Sequence, residues 1–175
     1  LNLFSSLSLK TIFFFYFSVI ALMFFVLYSS YHFGEQQWTL FEKKKTNLSF
    51  LHFSYGIFIF SMLFIFNEQG VSKIIYDITS ILITENQFLN FFIISSSCLC
   101  FIIIFFYKKI IRQLFTQVVL LVLLSLLFYL SDLMLSFAVY FVFWHSIPSI
   151  VEQTHYIFGQ NNYTSFIKYF KKAFI

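Results

Sequence analysis

Two short polar motifs are set in an otherwise apolar chain: Tyr31-His32-Phe33-Gly34-Glu35 and Trp144-His145-Ser146-Ile147-Pro148-Ser149. Each puts a histidine at or inside an apolar stretch long enough to cross a membrane. An ionisable side chain in lipid is costly, so such residues face a bundle interior and carry function there. Histidine is also the commonest metal ligand. Two of them on different helices point to a metal held inside a membrane bundle.

The four histidines of the chain separate by position. His145 lies ~18 Å along a helix that starts at residue 133, and Ser149 and Glu152 follow at i+4 and i+7 on one stripe. Pro148 loosens the backbone ladder at that point. The cost of polarity at this depth favours function for His145 over a structural hydrogen bond to a neighbouring helix. His32 sits at the end of the first apolar run, and a helix continued through Glu35 puts that carboxylate on the same face, where it can fix the imidazole tautomer. An interfacial histidine with its tip among headgroups is the alternative, and the residues leave both readings open. His52 and His155 read as interfacial polar caps. His155 is ~15 Å along the helix from His145, too far to share a metal with it.

The elements that position these residues follow from composition. Of 175 residues 60% are hydrophobic and 10% charged, against about 25% charged in a soluble domain. The expected fold is all-α, a polytopic membrane helical bundle of about five transmembrane helices, forming one integral membrane domain over 1–175. The apolar runs fall at roughly 11–33, 48–66, 88–107, 114–130 and 133–158, most near the ~20 residues a spanning helix needs. A tight turn around Ser131-Asp132 separates the last two, since Asp132 would otherwise be stranded in lipid.

Loop charge sets the orientation. Lys43, Lys44, Lys45, Lys108, Lys109, Arg112, Lys168, Lys171 and Lys172 fall on one side of a five-span chain, and only Lys10 and Lys73 on the other. The nine-residue side is expected to be cytoplasmic, in a multi-pass protein of the plasma membrane. The net charge of +4 lies beside apolar runs, which fits the lipid bilayer as partner, and no nucleic acid. The segment 67–87 reads as an interfacial amphipathic helix, and 166–174 has the same character on the inner side or begins another span. Cys98 and Cys100 read as free thiols. Asn47-Leu-Ser49 and Asn162-Tyr-Thr164 are chance matches to the glycosylation pattern. No dinucleotide fingerprint, P-loop or nucleophile elbow is present.

Taken together, the motifs resemble one family. Tyr31-His-Phe-Gly-Glu-Gln-Gln-Trp38 resembles its HFGE-type motif, and Ser136-Phe-Ala-Val-Tyr-Phe-Val-Phe-Trp-His-Ser-Ile-Pro-Ser149 is similar to its aFxxYFxxWHS signature. Ser54-Tyr-Gly-Ile-Phe58 and Phe66-Asn-Glu-Gln-Gly-Val71 resemble the stretch between them more loosely. The family is the Brp/Blh membrane proteins, the bacterial and archaeal β-carotene 15,15′-dioxygenases. The resemblance implies a membrane enzyme that uses Fe(2+) and O2 to split the central double bond of β-carotene into two retinal molecules, with His32 and His145 as iron ligands and catalytic residues. Ser149 stands where some members carry a further histidine, Asn67 stands for another, and the family's early HGxxDH-like motif has no counterpart. Two ligands are too few for the iron, so the expectation is a chain cut at both ends, its remaining ligand supplied from beyond these residues or by a partner subunit.

Three rival readings stand beside it. A transporter should show internal repeats or paired glycine-interrupted helices, which are not seen. A rhodopsin needs a mid-membrane lysine, and all 11 basic residues lie outside the span centres. A non-catalytic carotenoid- or retinal-binding relative is the serious alternative, separated from the enzyme by iron content and retinal production.

Overall fold

A computed structural model describes residues 2–39, 48–160 and 162–173, and among these the chain is helical, without strands. The elements are α1 (Asn2–Thr39), α2 (Ser49–Phe66), α3 (Glu68–Thr79), α4 (Glu85–Leu130), α5 (Leu133–Val139), a π-helical turn (Tyr140–Ser146), α6 (Ile147–Phe158) and α7 (Tyr163–Ala173). Four helical stretches among the described residues are long and apolar enough to cross a membrane: Tyr16–Trp38, Ser49–Phe66, Glu85–Leu130 and Leu133–Phe158. The protein is a helical membrane bundle. It packs as two compact units, residues 1–136 and 137–175. Lys43, Lys44, Lys45 and Asn47 lie outside the described residues.

In the first unit α1 and α2 run antiparallel, and their backbones touch. A Cβ on Gly34 would lie 1.8 Å from the carbonyl oxygen of His52, and one on Gly56 1.8 Å from that of Ser30. Apolar burial gives little drive between helices that leave lipid for each other, so small residues that admit close backbone approach carry the association. One end of this crossing is locked by a buried polar knot. The Tyr55 hydroxyl donates to Gln117 Oε1 at 3.0 Å, and Gln37 Nε2 donates to the same oxygen at 3.3 Å. Gln117 Nε2 in turn donates to the Gln37 carbonyl at 3.3 Å. Trp38 packs edge-on against Tyr55, ring centroids 5.7 Å apart. Outward of the crossing, α1, α2, α3 and α4 surround an apolar cavity of ≈ 280 Å³ lined by Val19, Met23, Val26, Ile57, Ile75 and Phe91 among others.

The expected basic loop at 108–113 is instead helix, because Glu85–Leu130 holds no glycine or proline and Lys108, Lys109, Arg112 and Gln113 all favour helix. The expected third and fourth runs thus belong to one helical range, α4. Its axis nevertheless reverses. Phe64 meets Phe88 at 6.3 Å, while three residues away Asn67 Nδ2 donates to the Phe128 carbonyl at 3.3 Å. A straight helix would hold residues 88 and 128 ~60 Å apart. The first leg runs antiparallel to α2, joined by the Ser61–Ser95 hydroxyl pair at 2.7 Å. The second runs parallel to it, from Gln117 at Tyr55 to Phe128 at Asn67. The reversal therefore falls between Ser95 and Gln117, and two legs of α4 with the other three stretches match five crossings.

The amphipathic segment expected at 67–87 is α3, with Val71 and Thr79 buried and Lys73, Tyr76 and Asp77 exposed. The turn expected at Ser131-Asp132 is present. Asp132 Oδ1 accepts the Leu135 N–H at 2.9 Å and starts α5.

Two outcomes follow. Gly34→Ala and Gly56→Ala should each lower the thermal unfolding temperature in detergent sharply, since backbone must move. Gly70→Ala should be mild, because its Cβ meets only the Leu133 side chain, at 3.2 Å and beyond. Spin labels at the exposed positions Leu89 and Tyr129 should report a separation of roughly 20 Å, two helix packing distances, and a value near ~60 Å would refute the reversal.

Candidate functional site

His32 does not end its helix: α1 continues to Thr39, so Glu35 does lie one turn on along the same face. Two positions from both Ser30 and Gly34, His32 points about 160° away from the α2 contact. It is exposed in this unit. Its ring stacks on Tyr28 at 6.4 Å and 16°, and Tyr28 stacks on Phe24 at 5.9 Å and 14°. Phe24, Tyr28 and His32 thus form a ladder of rings at i, i+4 and i+8, with Tyr28 63% exposed. The ≈ 280 Å³ apolar cavity lies on the other side of α1 and does not belong to this face.

His145 occupies the π-helical turn of the second unit. Pro148 explains that turn. It offers no N–H, and its ring would collide with the carbonyl of residue 144 in an α-helix. The backbone widens, and Ile147 N–H donates to the Val142 carbonyl five residues back. Helix widening of this kind concentrates at functional sites. The His145 ring packs on Phe141 at 4.9 Å, and Phe141 stacks on Phe137 at 6.0 Å and 19°.

Both motif histidines therefore end an aromatic ladder of the same spacing. Phe137 and Phe141 are the two phenylalanine positions of the aFxxYFxxWHS signature, whereas Phe24 and Tyr28 belong to no motif, although the signal is legible there: an aromatic residue four and eight positions before each motif histidine. In a chain with 30 Phe that spacing carries little weight until the rings are seen to stack.

The remaining residues divide. Ser149, on the expected His145 stripe, accepts a hydrogen bond from Gln153 at 3.4 Å, and Glu152 is exposed. His155 is exposed. His52 is not an interfacial cap. It is 4% exposed, set into the α1–α2 crossing with its carbonyl against Gly34 and its ring edge-on to Tyr31 at 6.4 Å. The cause is that Gly34 removes the side chain that would have kept the two helices apart there. Cys98 and Cys100 are free and exposed.

Neutral imidazoles suit Fe(II) in donor type. Among the described residues, no group of three or more His, Cys, Asp or Glu side chains gathers to hold a metal. His32 and His145 are therefore two candidate ligands, short of a complete cage.

A helical membrane protein with two ring-flanked histidine motifs is the class that fold and site define. The pattern of the family described as Beta-carotene 15,15'-dioxygenase matches residues 6–175, and the chain belongs to that family. No curated protein and no solved structure matches it.

The burial of His52 has a measurable consequence. His52→Ala should lower unfolding temperature in detergent, the loss of a buried side chain costing on the order of 2 kcal/mol. His155→Ala should leave it unchanged. Equal effects of the two would contradict the distinction between them.

Proposed function

We propose that this protein splits the central double bond of β-carotene with O2 at an iron centre in the plasma membrane, with His32 and His145 as two of the iron's ligands. One carbon–carbon double bond breaks and two aldehyde carbonyls form, so both oxygen atoms are accounted for in two molecules of retinal. The family match supports the carotenoid substrate, and the two histidine ladders carry the assignment to residues. Iron, when bound, supplies the activation of O2.

The chain's own contribution is placement. A polyene is a long, apolar, polarisable rod that partitions into the same lipid phase as the spans. Stacked rings leading to each histidine offer it a flat surface, and aromatic contacts are worth about 0.5–1.5 kcal/mol each beyond burial. Phe24 and Tyr28 would guide the chain on α1, and Phe137 and Phe141 would guide it before the π-helical turn. The apolar surroundings keep water away from the bond to be cleaved. Glu35, one turn on along the His32 face, would accept the N–H of the imidazole's second nitrogen and so fix its tautomer.

The test uses β-carotene-producing cells and the protein purified from them. His32→Ala and His145→Ala should each abolish retinal, read by chromatography, and lower bound iron, while His155→Ala retains both. Tyr28→Leu and Phe141→Leu should raise KM for β-carotene by up to about tenfold with a smaller change in kcat, the equivalent of one lost aromatic contact. Iron-free protein that still binds carotenoid and yields no retinal would identify a non-catalytic carotenoid binder instead.

A further inference from the structure

The chain breaks its last spanning stretch deliberately and starts a separate short helix. Gly159 adopts φ 70°, a left-handed conformation natural to glycine, and its N–H closes on the His155 carbonyl at 2.8 Å. Three residues later Asn162 Oδ1 accepts the Ser165 N–H at 2.8 Å, capping the start of α7. The described part of α7 has 11 residues and is ~17 Å long.

At 100° per residue, Lys168, Lys171 and Lys172 share one arc of α7 with Thr164. Tyr163, Phe166, Ile167 and Phe170 occupy the opposite arc. Contacts within the unit hold α7 by its flanks: Tyr169 donates its hydroxyl proton to the Gln153 side chain, and the Lys172 ammonium lies 5.8 Å from the Phe158 ring centre. These ties leave much of the apolar arc uncovered, with Tyr163 80% and Phe170 45% exposed. Residues 153–175 contain no Asp or Glu. A helix with aromatic and aliphatic residues on one arc and only positive charge on the other is built to lie in the plane of a negatively charged interface.

We propose that α7 docks onto the anionic surface of the bilayer leaflet where the basic segments gather, Phe166, Ile167 and Phe170 entering the acyl boundary and the three lysines meeting anionic headgroups. Each lysine near such a surface contributes about a fivefold factor, so three together favour the docked state on the order of a hundredfold. The proposal is independent of catalysis, since no residue of α7 enters the histidine motifs.

The test uses the full chain in nanodiscs, with Cys98→Ser and Cys100→Ser as background and an environment-sensitive fluorophore at Phe170→Cys. One set of discs holds phosphatidylcholine alone, the other equal parts phosphatidylcholine and phosphatidylglycerol. Blue-shifted emission and quenching by doxyl-labelled lipid are expected in the anionic discs. Both should fall back in neutral discs and in the Lys168→Gln/Lys171→Gln/Lys172→Gln variant. A fluorophore in water in both lipids would overturn docking. Equal lipid quenching in both would overturn the role of anionic headgroups. Blue-shifted emission without quenching would mean that α7 packs on protein, another segment or a second copy, and would overturn the proposal as well.

Discussion

The contact between the backbones of α1 and α2 is the constraint on which the first unit depends. Gly34 faces the His52 carbonyl and Gly56 faces the Ser30 carbonyl at distances no side chain could tolerate. In lipid, where apolar burial does not drive helices together, this approach replaces a hydrophobic core as the organising contact. It fixes rotation as well as distance. Once Gly34 meets α2, His32 must look away from it, and Gln37 and Trp38 must turn toward Tyr55.

The Gln117 knot then extends the arrangement to a third element. Its amide bonds to both α1 and α2, and groups that would be expensive to leave unpaired in a dry interior become a register mark. The second leg of α4 can dock only where Gln117 reaches Gln37 and Tyr55. The first leg finds α2 through Ser61 and Ser95. Two legs of one helical element thus pack on the same neighbour in opposite senses, and the helical reversal between them carries the basic cluster of Lys108, Lys109 and Arg112.

The histidines are presented differently but to a common pattern. His32 is placed by rigid packing on the far side of its helix, and His145 by a local widening that Pro148 enforces. Each ends a run of stacked rings. This convergence on two helices of different backbone geometry is the observation on which the proposed reading of an elongated apolar substrate rests. His52, by contrast, is held in the helix crossing, where its burial serves the packing of α1 on α2.

Much of this was legible in the residues alone. Low charge and long apolar runs determine a helical membrane protein, because lipid leaves the backbone no other partner than itself. The short α3, the turn at Asp132 and the disturbance at Pro148 were equally visible, each arising from interactions within a few residues. What the sequence could not decide depends on partners distant along the chain. His32 and His52 look alike as histidines near the ends of apolar runs, yet one is exposed and the other buried, because which face of a helix is covered depends on where a neighbouring glycine lets another backbone in. The basic segment at 108–113 reads as a loop by charge and folds as helix, because local propensity is satisfied while the reversal is imposed by contacts on α2. Ring stacking, too, is decided by side-chain rotamers that spacing permits but does not select.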